Sequence, residues 1–549
     1  MRLNNKELEN KVSWEKAGIK LPKFNREAMI AATDKTPQWV HFGPGNIFRA
    51  FPAAIQQKLL EEGAAKTGIV VAEGYDYEIV DALYKPLDNL SLVVTLKSDG
   101  STEKNVIASV AEALKADCSD KDFARLEAIF RNPSLQMASF TITEKGYSLV
   151  AAGGAFIPGV EDDFQKGPAA PVSYMGKVAA LLHRRYLAGA LPISMVSMDN
   201  CSHNGDLLRT AIMTFARKWQ ENGRTDAGFT AYLENPAKVG FPWSMIDKIT
   251  PRPDDGVKAM LVKDGIEGAE GRVTTKGTYI APFVNAEETE YLVIENAFPN
   301  GRMPLEKGGV IFTSRETVDK VEKMKVCTCL NPLHTALAVF GCLMGYSLIN
   351  EEMKNPDLVK LIETIGYREG LPVVVDPGIL SPREFIDSVI KIRLPNPFMP
   401  DTPQRIATDS SQKLSVRFGE TIKAYIASKS LKVDDLKLIP LVQAAWVRYL
   451  MGINDEGQPF TVSPDPLYSS LAPAVAGIKL GDKGPFHAIL EPILSDKRIF
   501  GVNLYEAGLV SERNPVSERN LGERVEKYFG ELVAGPGAVA KTLKKYTSQ

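Results

Sequence analysis

Short apolar runs alternate with amphipathic segments over the first 315 residues of this 549-residue chain, and the alternation then gives way to helical periodicity. PQWVHFG at 37–43 predicts a short buried strand, and the turn Gly43-Pro44-Gly45-Asn46-Ile47-Phe48-Arg49 opens a helix running to about residue 62. TGIVVA at 67–72 predicts a second strand, followed by Glu73 and Asp76. Strand and helix continue through 90–96, a helix over 120–131, a strand over 136–143, a helix over 173–187 and a buried strand over 192–198, with a further strand at 291–295. From about residue 316, apolar positions recur near i, i+3 and i+4 over 332–349, 356–366, 381–391, 412–428, 434–452 and 516–533. This predicts an α/β chain: a Rossmann-like N-terminal domain over 1–315 and a mainly α-helical C-terminal domain over 316–549, with the active site between them. Only the last residues, LKKYTSQ, are expected to fray.

Charge and cysteine usage narrow the partners. A net charge of −2 supplies no basic footprint for nucleic acid or anionic membrane, so small-molecule partners are expected, with the oligomeric state left open. Five cysteines are too few for a disulfide framework in a chain this long, which favours a reducing, cytoplasmic setting. Cys327 and Cys329 form a C-x-C pair with no second pair nearby, so they are expected to pack rather than bind metal. The N-terminal 18 residues are charged and lack an apolar signal core. The longest apolar-leaning run, 335–349, is shorter than the ~18–20 residues a membrane span needs.

Candidate chemistry is most concentrated in Lys325-Val-Cys-Thr-Cys-Leu-Asn331-Pro-Leu-His334. Asn331 before Pro332 is a natural N-cap for the following helix, and Asn331 and His334 then share its first turn. Lys325 lies six positions before Asn331, so an unbroken α-helix would not put the two on one face; the lysine must come from irregular backbone or a separate helix end. A lysine, an amide and an imidazole suit removal of a hydroxyl proton as its carbon loses a hydride, because burial can bring a lysine to act as a base and an amide can hold the developing oxyanion. The same residues also fit bland roles: a helix cap, a core histidine and a solvated lysine. Upstream, the glycine turn at 43–49 opens a helix as dinucleotide-binding turns do, although Phe48 replaces the third glycine of G-x-G-x-x-G. Glu73 or Asp76, after the second strand, is placed to hold a ribose 2′-hydroxyl and to repel a 2′-phosphate, which favours NAD over NADP. Glu144, and the cluster Asp199-Asn200-Cys201-Ser202-His203-Asn204, follow predicted strands at the same edge.

Together these stretches resemble the polyol-specific long-chain dehydrogenase/reductase family, that of the mannitol dehydrogenases. Its G-x-G-N-F-H-R-A-H is similar to 43–51, T-I-T-E-x-G-Y to 141–147, and S-x-D-N-x-x-x-N-G to 197–205. M-V-D-R-I-T-P is similar to 245–251, V-I-E-x-x-F-P-x-G-R to 293–302, and N-P-x-x-x-D-x-x-x-R-I-x-x-D-x-S-x-K to 396–413. Phe48 and Phe51 stand where the family has histidines, and the family signature K-x4-N-x2-H meets one extra residue here, which leaves Lys323 as a competitor to Lys325. The resemblance implies metal-independent hydride transfer with NAD. In it Lys325 is the general base, Asn200 and Asn331 hold the reacting oxygen, and His334, Asp247, Arg405 and Lys413 position the substrate. The glycine turn and Glu73, Asp76 and Glu144 would face the cofactor. Its hexuronate reductase branch implies reduction of a keto-hexuronate, D-fructuronate to D-mannonate first. Tagaturonate reduction and fructose–mannitol interconversion are the alternatives, and an NAD-sensing scaffold without chemistry is the non-enzyme one. Arg393 is a further candidate for gripping a substrate carboxylate.

Overall fold

The structure is a computed structural model and describes residues 1–151, 153–508 and 519–548. Its contacts divide the chain into two compact units, Met1–Lys97 with Ser101–Asp319, and Lys320–Gln549 with Ser98–Gly100.

The first unit is built on a six-stranded sheet whose paired strands all run parallel: β1 (Trp39–Phe42), β2 (Ile69–Glu73), β3 (Val110–Lys115), β4 (Met137–Phe140), β5 (Ile193–Ser197) and β6 (Val239–Gly240). Their spatial order is β3-β2-β1-β4-β5-β6, the doubly wound dinucleotide-binding order. Helices cover both faces, so both sets of alternating side chains are mainly apolar, and polar ones such as His41 and Ser139 are buried and paired with each other. Val40, Phe42, Val70, Ala72, Ala138 and Phe140 enter one core with helices Lys121–Arg131, Tyr174–Leu187 and Asn204–Glu221. Trp39, Ile69, Val71, Met137 and Val196 enter the other with Pro52–Glu61. This is why these strands read as mainly apolar runs.

Two expectations shift here. The predicted helix after the glycine turn is two helices, Asn46–Ala50 and Pro52–Glu61, because Pro52 cannot donate into a continuing helix and Phe51 takes φ −128°. The 90–96 strand, Ser91–Leu96, lies outside the parallel sheet. It turns tightly into Thr102–Ile107, pairs with it antiparallel, and joins Phe283–Glu287 in a second sheet.

The second unit is helical among its described residues, and several helices contain a wider, π-helical turn: Lys325–Cys329, Thr364–Gly370, Val389–Arg393 and Ser415–Gly419. Of the expected helix over 516–533, Leu521–Leu532 is observed, and positions 516–518 lie outside the described residues. The C-terminal segment does not fray through Thr547, because Leu543 and Thr547 are buried on helix Ala538–Thr547. The continuous helical stretch Arg315–Met344 is long and apolar enough to cross a membrane, which a run counted over 335–349 alone missed; 78% of its most apolar window is buried in the protein, as in a core helix.

Gly43, directly after β1, has φ +92°, and a Cβ there would run into the carbonyl oxygen of Thr141. Gly43→Ala should therefore lose more stability than the ~1–3 kcal/mol of left-handed strain alone, read as a fall in urea midpoint at unchanged slope.

Candidate functional site

In a parallel sheet every strand delivers its following loop to the same edge, and this edge of the first unit collects the expected cofactor residues. After β1, the Gly43 N–H donates to Ala72 O (3.1 Å) and Gly45 N–H to Gly43 O (2.8 Å), closing the turn. A Cβ on Gly45 would meet nothing within 4 Å, so the backbone here is open to a bulky anion. Asn46 Oδ1 accepts from Arg49 Nη2 (2.8 Å), and Arg49 Nη1 reaches Ala281 O (2.8 Å). The Arg49 guanidinium is buried, which pushes its pKa down, and Phe48 is buried against the ring of His41 at 4.2 Å. These two side chains are structural, so what 46–49 offers a cofactor is backbone N–H, with Ile47 half-buried beside it.

At the end of β2, both acids are buried and tied into the loop they begin. Glu73 Oε1 accepts the Tyr75 and Asp76 N–H groups (2.6 and 2.9 Å), and Asp76 Oδ2 accepts from Thr274 Oγ1 (2.6 Å). Burial pushes the Glu73 carboxyl up, against the pull of those two amides. Two lysines share this edge, and sequence reasoning passed over both. Lys177 Nζ donates to Gly74 O (3.0 Å), and Lys276 Nζ donates to Tyr75 O (2.5 Å) while standing 4.2 Å above the exposed Tyr75 ring.

After β4 and β5 the pivotal residue is Asp199, the acid of the S-x-D-N motif. Its carboxylate accepts the N–H groups of Ile142 and Thr143 (2.9 Å each) and the Tyr147 hydroxyl (2.5 Å). Thr143 is β-branched yet has φ +63°, a strained conformation that these bonds hold in place. Glu144 follows it, exposed at the edge, as is Asn200 after Asp199. Asn204, buried, donates from Nδ2 to the Asp199, Ser244 and Ser197 carbonyls (2.9, 3.0 and 3.3 Å) and accepts Ser244 N–H (3.0 Å). It thereby pins the loop carrying Asn200 to strand Ser244–Asp247, at whose end Asp247 is buried.

The second unit holds the remaining candidates. Lys325 is buried and opens the π-helical turn Lys325–Cys329, whose defining bond runs from the Leu330 N–H to Lys325 O (3.1 Å). The turn feeds directly into helix Asn331–Met344, so Leu330 at φ −126° is the junction and Asn331 is the first helical residue instead of the expected N-cap. Its carboxamide is therefore not used for capping. His334 Nε2 lies 3.3 Å from Asp401 Oδ2, and Arg405 grips the same carboxylate with two bonds (2.7 and 2.6 Å). Burial pushes His334 down to about 4; Asp401 opposes this, while Arg405, Arg417 and Arg393 reinforce it, so the imidazole is neutral at pH 7. Lys413 Nζ donates to Thr408 O (2.5 Å), and burial, aided by Arg417 and Arg405, lowers its pKa. Arg417, which the sequence reading did not single out, donates from Nη1 to Thr335 Oγ1 (2.5 Å), one turn along the helix from Asn331. Arg393, Arg405, Lys413 and Arg417 thus concentrate positive charge around His334, and Lys325, Arg393 and Arg417 all lie in π-helical turns.

Residues 37–307 match the mannitol dehydrogenase Rossmann domain and 317–512 the mannitol dehydrogenase C-terminal domain. The chain belongs to the mannitol dehydrogenase family. Like the family's named members it is an oxidoreductase. A D-mannonate oxidoreductase of Thermotoga maritima is 54% identical over 99% of both chains, and a mannitol 2-dehydrogenase of Cereibacter sphaeroides is 30% identical over 82% of this chain and 87% of its own. Among solved structures, mannitol 2-dehydrogenase of Pseudomonas fluorescens in ternary complex with NAD and D-mannitol aligns over 100% of both chains with TM-score 0.69 and 26% identity. In a family member with this second unit, the neutral imidazole held by Asp401 makes a pH prediction. Because the folded His334 pKa lies below its ordinary 6.5, stability is lost as pH falls from about 6.5 toward 4. His334→Gln should therefore lose about 2–3 kcal/mol less than the parent between pH 7 and 4.5 in urea denaturation.

Proposed function

We propose that this protein is an NAD(H)-dependent reductase of a keto-hexuronate, interconverting D-fructuronate and D-mannonate, with Lys325 as general acid and base and no metal in the reaction. The observation that carries the acidic substrate is the cluster Arg393, Arg405, Lys413 and Arg417 around His334 and Asn331 in the second unit. A sugar acid brings a carboxylate that such cations can hold, which a neutral polyol does not offer. The 54% identity to the D-mannonate oxidoreductase over nearly the whole chain points the same way.

The first unit fits the cofactor. The open Gly45 backbone and the helix starting at Asn46 suit a pyrophosphate, and Glu73 and Asp76 supply negative charge at the end of β2, where a ribose 2′-hydroxyl is held. When bound, the nicotinamide supplies or receives the hydride. In reduction Lys325 gives its proton to the carbonyl oxygen, and in oxidation it takes the hydroxyl proton back. Asn331 donates to that oxygen, the role also assigned to Asn200, where charge develops. His334, fixed neutral by Asp401, and Asp247 orient substrate hydroxyls, while Arg405 and Lys413 hold the carboxylate end.

The wider turn at Lys325 supports that lysine over Lys323 as the base. A π turn accommodates one more residue than an α turn, so the extra residue before Asn331 is absorbed locally and Lys325 keeps the register of a lysine five positions away on a regular helix. Lys323, on helix Arg315–Met324, precedes Asn331 by eight positions, so the same turn absorbs one of its three extra residues and leaves two.

Two experiments test the reading. Steady-state assays with NADH should rank fructuronate above tagaturonate and fructose, and NADH above NADPH. A preference for fructose would overturn the acidic substrate, and absence of turnover on all three would overturn the enzyme. Lys325→Ala should lower kcat on the order of 10²–10⁴-fold, with Lys323→Ala mild; the reverse ranking would move the base.

A further inference from the structure

We propose that Glu352 is a positioning residue of the second unit: a buried acid, held neutral, that fixes the placing and charge of Asp401 and through it of His334 and Arg405. The geometry starts on helix Asn331–Met344, where Gly341 lies seven residues, two turns, after His334 and so on the same face. A Cβ at Gly341 would run into the Glu352 carboxyl and approach Pro403 Cβ to 3.0 Å, so the glycine opens a slot that this side chain fills, beside the helix Pro403–Ile406 carrying Arg405. Helix Ile349–Glu352 is tied to the same place by the Ile349 N–H, which donates to Asp401 O (3.0 Å). Asp401 therefore has its side chain on His334 and Arg405 and its carbonyl on the helix of Glu352.

Glu352 is wholly buried, and neither carboxyl oxygen has a hydrogen-bond partner, a placement that an ionised carboxylate could not sustain. The titratable groups acting on it are Asp401, whose charge opposes a second one, and Cys342, itself pushed up to about 12 by burial. Burial first, then Asp401, push the Glu352 carboxyl up to about 9, so Glu352 is protonated at neutral pH. Ionising Glu352 would place a second negative charge behind the carboxylate that Arg405 and His334 read.

The primary test uses the substrate-free protein, so it stands or falls independently of the reductase reading on which the kinetic arm rests. A carboxyl with a folded pKa raised from 4.5 to about 9 costs stability progressively as pH rises across that window, because the unfolded chain releases a proton that the native one keeps. Glu352→Gln, neutral throughout, should match the parent in Tm at pH 4.5 and exceed it increasingly up to pH 8.5. Parallel Tm–pH curves for the two proteins would overturn the neutral acid. In the kinetic arm, Glu352→Ala should raise KM for the sugar acid roughly tenfold with a smaller change in kcat, Glu352→Gln should restore KM at pH 7, and the alkaline rise in KM should be present in the parent and absent in Glu352→Gln. A KM for Glu352→Ala equal to the parent's, or failure of Glu352→Gln to restore it, would overturn the positioning role.

Discussion

A carboxylate withdrawn from water must be met by donors, and each unit organises its functional edge around one such group. In the first unit Asp199 gathers two backbone N–H groups and the Tyr147 hydroxyl, and this holds Thr143 in a conformation that its β-branched side chain resists. Remove those acceptors and the turn between β4 and Glu144 has no reason to keep its shape. Asn204 continues the same network by saturating the carbonyls of Ser197, Asp199 and Ser244, so three loops behave as one edge.

Asp401 does the equivalent work in the second unit, with side chains in place of backbone. It meets His334 at one oxygen and Arg405 at both, and burial keeps the imidazole neutral beside it. Arg393, Lys413 and Arg417 add positive charge nearby, with Asp409 and Asp465 acting on Lys413 from the other side of the balance. Burial disfavours these charges: it lowers the pKa of Arg417 to about 10, and that of Lys413 too, where Arg417 and Arg405 add to the effect. An anionic ligand relieves that cost, which is the physical link between this electrostatic arrangement and a sugar-acid substrate. Glu352, neutral behind Asp401, belongs to the same balance because it adds a polar group without adding a charge.

The π-helical turns show how helices can accommodate chemistry without ending. Each widens the helix by one residue over a turn, which rotates side chains relative to an α-helical count. Lys325, Arg393 and Arg417 all sit in such turns, so a cation that the 100° rule would send elsewhere shares a neighbourhood with residues on other helices. The same widening explains why an extra residue between Lys325 and Asn331 is tolerated inside a continuous stretch from Arg315 to Met344.

Much was legible in the linear order of residue types. Mainly apolar runs at 39–42, 69–73, 137–140 and 193–197 announced a sheet covered on both faces, because burial on both sides removes most of the polar alternation. The glycine turn, the acids after β2 and the Asp-Asn cluster after β5 were readable because a parallel sheet delivers its loops to one edge whatever their content. What the sequence could not determine were matters of rotation and partnership. Whether Asn331 caps or begins its helix depended on a wider turn that local propensity does not encode. That Phe48 and Arg49 face inward followed from His41 and Ala281, residues near and far in the chain. That Ser91–Leu96 leaves the parallel sheet followed from an antiparallel partner and from Phe283–Glu287, about 190 residues on. The roles of Asp199, Asp401, Arg417 and Glu352 emerged only in three dimensions, since a carboxylate or a guanidinium is identified by what meets it, and those partners come from other elements.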